Sequence, residues 1–167
     1  MQKDKQMRLY VDKQIYVDLY GVIGVDPDVD KSGYCRLGGD MKIEETGCFD
    51  MYDICLKIRT EQANAKALDK TLVVIVEAGW QNQTNFHVGG RDNAWKAAKI
   101  GNHVGANHEV GRQIIKFCKR IGVDVMEYIP KRHKMNAQDF KEISGTNLRT
   151  NQEVRDAYRA ALSVIDF

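Results

Sequence analysis

The segment LVVIVE at residues 72–77 decides the fold class. It contains five consecutive apolar residues, mostly β-branched, which predict a strand that is buried on both faces. Strands of this kind are typical of sheets that carry helices on both sides. We therefore expect an α/β protein built around a sheet that contains this strand.

Upstream of this segment, the sequence predicts three more strands and a helix. Residues 19–25 form a β-prone run that ends at Asp26-Pro27, which suits a buried strand stopped by proline. Residues 32–37 and 41–49 predict a hairpin that continues the sheet. Apolar residues at helical spacing predict an amphipathic helix over residues 51–68.

Downstream, helices and strands alternate. Residues 93–121 predict a helix with an interruption near residues 101–105, and residues 123–129 predict another strand. Two further helices are predicted over residues 138–143 and 151–165. Three strands followed by alternating helices and strands predict a mixed five-stranded sheet with helices on both faces.

One domain accounts for the length of 167 residues, of which 43% are apolar and 29% charged. Residues 1–18 show no clear period, so we treat them as an N-terminal extension of unknown structure and residues 19–167 as the domain. No apolar run approaches the ~20 residues of a membrane span. The N-terminus lacks the apolar core of a signal peptide. We expect a cytoplasmic protein without a membrane partner.

Charge is distributed unevenly along the chain, although the formal net charge is only +2. Residues 91–150 contain 12 Lys and Arg against 6 Asp and Glu. This surplus can form a basic surface for an anionic partner, or it can lie on solvated helix faces. The count alone favours the second interpretation.

Acidic residues interrupt the apolar pattern at positions that point to one site. Asp26 ends the first predicted strand and Glu77 ends the fourth. In open α/β sheets, sites form outside the carboxyl ends of the strands. Glu153 and Asp156 are three residues apart on the last predicted helix, so they share one face. All four carboxylates are therefore candidates for a single crevice.

Four carboxylates in one crevice need a counter-charge. Two unit charges about 4 Å apart repel by roughly 4 kcal/mol at a near-surface dielectric. Oxygen-only ligands favour Mg²⁺ or Mn²⁺ over zinc. Two such ions can activate a water and stabilise the leaving oxygen during phosphodiester cleavage. The pattern thus predicts a catalytic centre with two divalent cations.

Each carboxylate also has an ordinary interpretation. Asp26 before Pro27 can begin a turn, and Glu77 can be a strand-end residue that reaches solvent. The sequence TNQE at residues 150–153 matches a capping box, in which Glu153 would bind the backbone at the start of its helix. Taken singly, none of the residues decides between the two interpretations.

Three motifs around these residues resemble RuvC-type Holliday junction resolvases. GVIGVDP at residues 21–27, followed by Ser32-Gly33, resembles the opening motif of that family. VVIVE at residues 73–77 resembles its fourth strand with a metal-binding Glu. RTNQEVRDA at residues 149–157 is similar to its closing acidic helix, in a form associated with phage or mobile-element relatives. The resemblance covers about residues 19–165.

The resemblance implies an RNase H-like fold, a homodimer and Mg²⁺-dependent cleavage of four-way DNA junctions. Asp26, Glu77 and Asp156 match ligand positions of the family. Glu153 stands where the family commonly has Asp, and Asp28 stands where it usually has Gly. These two departures lie beside the expected metal site.

Candidate nucleic-acid contacts follow the same comparison. Trp80 lies where some resolvases carry an exposed aromatic at the junction centre, although a partly buried core Trp is an equal alternative. Basic side chains after the last predicted strand can hold phosphates or can lie on a solvated loop. They are Lys131, Arg132, Lys134, Lys141 and Arg149.

The leading hypothesis is a metal-dependent endonuclease that resolves branched DNA, above all four-way junctions, by paired nicks. One alternative is an RNase H-like nuclease that acts on flaps, forks or RNA. A second alternative is a junction-binding protein that has lost catalysis. All three share the fold and differ in substrate or in chemistry.

Overall fold

The computed structural model describes residues 9–11, 14–16, 18–82 and 94–165. Two short strands, β1 (Leu9–Val11) and β2 (Gln14–Tyr16), pair antiparallel and form a small sheet of their own. Both strands lie within residues 1–18, for which the sequence predicted no structure. The main sheet begins directly after them.

Five strands form the main sheet in the spatial order β5-β4-β3-β6-β7. Strand β3 pairs antiparallel with β4 and parallel with β6, and β7 extends the parallel half. The strands are β3 (Leu19–Asp26), β4 (Ser32–Gly38), β5 (Ile43–Phe49), β6 (Thr71–Glu77) and β7 (Asp124–Tyr128).

Helices cover both faces of this sheet. The helices are α1 (Met51–Ala67), α2 (Ala94–Ile121), α3 (Ala137–Ser144) and α4 (Gln152–Leu162). Val73 and Ile75 of β6 face the core that contains α3 and α4, while Val74 and Val76 face the core that contains α1 and α2. The predicted class, an α/β fold with a mixed five-stranded sheet and helices on both faces, is confirmed. None of the helices in the described ranges is long and apolar enough to cross a membrane.

Helix α2 differs from the sequence prediction because it is continuous. The expected interruption near residues 101–105 is wrong, since helix α2 runs from Ala94 to Ile121. Gly101 and Gly105 lie inside it with open space around them. Each glycine costs a helix only about 1 kcal/mol relative to Ala. Alanine and lysine, both good helix formers, fill much of the preceding turn and offset this cost.

Two glycines let α4 lie directly on the sheet. A Cβ atom at Gly24 of β3 would lie 2.0 Å from the Ala157 carbonyl oxygen, and one at Gly33 of β4 would lie 2.1 Å from the Glu153 carbonyl oxygen. Neither position could carry a side chain without moving the helix. The glycines of the opening motif therefore set the distance at which the acidic face of α4 meets the end of β3.

Candidate metal centre and its cleft

Three carboxylates from three elements meet at one end of the sheet. Asp26 is the last residue of β3, Glu77 is the last residue of β6, and Asp156 lies on α4. Each offers one oxygen, and these oxygens all lie within 4.8 Å of one another. Because β3 and β6 are parallel neighbours with Val25 opposite Val76, their carboxyl ends coincide. The structure thus brings together three of the four predicted acidic residues.

Burial and mutual repulsion shape the electrostatics of this centre. Burial raises the pKa of Asp26 well above its ordinary value, and the charges of Glu77 and Asp156 raise it further. Burial also raises the pKa of Glu77 to about 7, with Asp156 adding to the effect. The centre therefore favours the uptake of protons or cations.

Lys134 supplies a positive charge inside this centre. Its Nζ donates a hydrogen bond to Oδ2 of Asp156. Burial lowers the pKa of Lys134, but the bond to Asp156 and the surrounding carboxylates outweigh burial and leave this pKa raised. The same ammonium lowers the pKa values of Asp26 and Glu77. Lys134, which the sequence assigned to phosphate binding, thus sits against a carboxylate of the cluster.

Helix α4 also fixes the loop that carries Lys134. Arg155 donates from Nε to the Met135 carbonyl at 3.1 Å, and Gln152 donates to the same carbonyl at 3.3 Å. Gln152 also donates to Oδ1 of Asp156 at 2.8 Å, and Arg159 donates to the His133 carbonyl. Sequence reasoning missed these residues. Their spacing of three and four along α4, on the face of Asp156, is the signal that could have found them.

Glu153 lies beside the cluster but outside it. The N-cap of α4 is Asn151, whose side chain accepts from the Val154 N–H at 3.0 Å. The alternative interpretation of Glu153, a capping box that begins at Thr150, is therefore wrong, because the N-cap lies one residue later. Glu153 is exposed, lines the same cleft and raises the pKa of Asp26 through its charge.

The donor set suits a hard divalent cation. Asp26, Glu77 and Asp156 offer only carboxylate oxygens, and their repulsion falls when a cation replaces the protons. No sulfur or imidazole nitrogen belongs to this group. These three residues are therefore the ones that would hold the metal, with Glu153 alongside.

A cleft of about 540 Å³ opens over the carboxylates. Asp26 and Glu77 line it, whereas Asp156 is buried and is not among the lining residues. Lys131, Arg132 and Lys134 line it on the side of the loop after β7, and a face of α2 lines it together with Trp80. Two other predicted contacts, Lys141 on α3 and Arg149 before α4, are exposed and are not among the residues that line the cleft.

Trp80 is partly buried at the rim of the cleft. It lies in a 3-10 helix, Gly79–Gln81, directly after β6. Its ring meets the His108 ring edge-on at 5.9 Å between centroids, and the Arg112 guanidinium lies 5.1 Å from its centroid. A Cβ atom at Gly111 would lie 2.7 Å from the indole. Close packing against α2 therefore holds the indole in place.

Asp28, which stands where the resembled family usually has Gly, clamps α2 to the loop that follows Asp26. Asn107 of α2 donates to Oδ2 of Asp28 at 3.2 Å and accepts from the Val29 N–H at 2.8 Å. Oδ1 of Asp28 accepts from the Asp30 N–H at 2.8 Å. The aspartate thus orders the turn beside the metal centre.

Exchange of the two clamp residues tests this contact. We expect Asn107→Asp to destabilise the protein by about 1–2 kcal/mol, because it sets two carboxylates against each other and removes the donor to Asp28. In the double variant Asn107→Asp with Asp28→Asn, the donor and acceptor change sides and most of the loss should return. Urea unfolding of both variants measures this. Additive losses in the double variant would contradict the clamp.

Comparison with solved structures finds a similar chain in T. thermophilus RuvC in complex with Holliday junction substrate. The two chains are 17% identical, with a TM-score of 0.49, and the match covers 86% of this chain and 90% of that chain. No protein-family model matches the sequence, and no curated protein matches it either.

Proposed function

We propose that this protein is a metal-dependent endonuclease that cleaves phosphodiester bonds in branched DNA and resolves four-way junctions by paired nicks. The observation that carries the proposal is the carboxylate centre itself. Three carboxylate oxygens lie within 4.8 Å of one another, and two of their residues, Asp26 and Glu77, line a cleft that basic side chains also line. This combination suits a phosphate backbone held over divalent cations.

The residues of the centre and its cleft would have three roles in this reaction. Asp26, Glu77 and Asp156 would hold two Mg²⁺ or Mn²⁺ ions, which supply an activated water and stabilise the leaving oxygen. Gln152 holds Oδ1 of Asp156 and so orients that carboxylate. Lys131 and Arg132, which line the cleft, would bind phosphates of the cleaved strand.

The choice of branched DNA rests on the resemblance of the three sequence motifs to junction resolvases. A homodimer would place two such centres for paired nicks on one junction. The cytoplasmic location expected from the sequence is compatible with DNA as the substrate. Flaps, forks, RNA, or junction binding without cleavage are the alternatives that an assay must separate.

A panel of synthetic substrates tests the proposal. The protein is incubated with Mg²⁺ and a four-way junction, a flap, a fork, an RNA–DNA hybrid or linear duplex of the same sequence. We expect paired nicks on the junction and little cleavage of the duplex. Preferential cleavage of another substrate would contradict the junction as the preferred substrate. Tight junction binding with no cleavage in Mg²⁺ or Mn²⁺ would favour a junction-binding protein that has lost catalysis.

Glu153→Gln tests whether Glu153 assists the metal centre. Since Asn151 caps α4, the substitution should leave the free energy of unfolding within ~0.5 kcal/mol of the wild type. Cleavage should fall about 10- to 100-fold, the loss usual for groups that support metal ligands. Nicking rates and urea unfolding measure the two effects. An unchanged nicking rate would show that Glu153 does not assist the metal centre.

A further inference from the structure

The α2 side of the cleft carries a cationic group that the proposed mechanism does not use. Val104, Asn107, His108 and Arg112 line the cleft, and their spacing of three and four places them on one face of the helix. Further along α2, Ile114 and Cys118 are buried in the core. The helix therefore passes from the core to the cleft within about two turns.

Packing against Trp80 sets the position of Arg112. The guanidinium lies 5.1 Å from the centroid of the indole, and Gly111 leaves room for that ring beside the helix. The carboxylate that pairs with Arg112 is Glu109, at 3.9 Å, where both side chains are about half exposed. At this distance and exposure, the ion pair contributes little to the stability of the protein. Among the residues that the structure describes, the N–H groups of Arg112 thus remain available to a ligand.

His108 lies next to Arg112 on the same face. Its ring packs against Trp80 and Gly79. Burial lowers its pKa, and the charge of Arg112 lowers it further, so the ring is neutral at pH 7. Within the described ranges, the positive charge on the α2 side of the cleft therefore comes from Arg112, while His108 offers a neutral donor and acceptor.

We propose that Arg112, supported by Trp80, binds a backbone phosphate of the DNA strand on the side of the cleft opposite the loop after β7. His108 forms a hydrogen bond to the same nucleotide. This inference rests on the proposed function. The planar fork of a guanidinium matches two phosphate oxygens. Met135 of the loop after β7 packs in the core on one face of the sheet and α2 packs in the core on the other face. Cations from these two elements, which line the same cleft, would hold one strand across the centre. Trp80 then acts as a support for Arg112 and not as a platform for bases.

Salt-dependent binding tests this role. Affinity for a four-way junction is measured in Ca²⁺ over a range of salt concentrations, for the wild type and Arg112→Ala. Loss of one phosphate contact should weaken binding about 10-fold and reduce the slope of log affinity against log salt by about 1. His108→Gln should weaken binding and leave the slope unchanged, because the neutral ring releases no counterion.

Arg59→Ala is the matched control. The Arg59 guanidinium also lies over an aromatic ring, that of Phe117 at 5.5 Å, but it is not among the residues that line the cleft. We expect this variant to bind with the wild-type affinity and slope. Arg112→Lys should keep the slope but lose affinity, because the charge remains and the fork is lost.

The outcomes separate the inference from the proposed function. If the wild type binds the junction and Arg112→Ala matches Arg59→Ala in affinity and slope, the role of Arg112 is wrong and the proposed function stands. If the wild type binds no nucleic acid at all, the proposed function fails and the inference falls with it. A loss for Arg112→Ala with unchanged thermal stability supports the inference.

Discussion

Asp26→Asn is expected to abolish cleavage while it stabilises the protein in the absence of metal. Asp26 offers one of three carboxylate oxygens that lie within 4.8 Å of one another, so its loss removes one of the oxygens that would hold the cations. Metal ions supply several kcal/mol of transition-state stabilisation in such centres. We therefore expect the nicking rate to fall by about 10³-fold or more.

The gain in stability has the same origin. Burial and two neighbouring carboxylates raise the pKa of Asp26, which means that its charge is unfavourable in the folded protein. Asparagine has almost the same shape and no charge, so the metal-free variant should be more stable by about 1–2 kcal/mol at pH 8. Urea unfolding in EDTA measures this value.

Asp124→Asn provides the control for both effects. Asp124 begins β7, is exposed, and lies opposite Val73 at the other end of the parallel strands. Its substitution should leave nicking and stability unchanged. An Asp26→Asn protein that still nicks the junction at the wild-type rate would contradict the assignment, and so would one that is less stable than the wild type in EDTA.

The stability of the metal-free protein should fall as the pH rises. The pKa of Glu77 is about 7 in the folded protein, against 4.5 for the ordinary side chain. The folded state therefore binds this proton more tightly than the unfolded state. The resulting stabilisation is complete below the unfolded value and is lost as the pH rises through about 7. We expect a loss on the order of 2 kcal/mol between pH 5 and pH 8.

Divalent cations should reverse this loss. At pH 8, millimolar Mg²⁺ would bind the ionised carboxylates of the folded protein and restore most of the stability. In Glu77→Gln, the pH dependence should be shallower and the response to Mg²⁺ smaller, because one titrating ligand is gone. Thermal melts in EDTA and in Mg²⁺ at both pH values provide the data. Equal melting temperatures in all four conditions would contradict a carboxylate cluster that binds cations.

Local patterns were enough to predict the sheet and two of the three clustered carboxylates. A buried strand is recognisable from its own residues, and the carboxylate that ends it follows directly, as for Asp26 and Glu77. Their convergence follows from a general property of parallel strands. The acidic face of α4 was also predictable, because Glu153 and Asp156 are separated by a helical spacing.

Long-range packing decided what the sequence could not predict. Thr150 and Asn151 are both able to cap a helix, and contact of the Glu153 backbone with Gly33 accompanies the later start. The clamp between Asp28 and Asn107 joins residues 79 positions apart. In the sequence, Lys134 cannot be told apart from the other basic residues of its loop. Its contact with Asp156 depends on Arg155 and Arg159, which hold that loop against α4.

A crystal grown with Mn²⁺ tests the central claim most directly, since the anomalous signal of manganese locates the ion without reference to activity. We predict anomalous peaks bound by carboxylate oxygens of Asp26, Glu77 and Asp156, with Lys134 displaced from Asp156. A crystal at saturating Mn²⁺ that shows no peak in the cleft, with Lys134 still bonded to Asp156, would contradict a divalent cation centre at this end of the sheet.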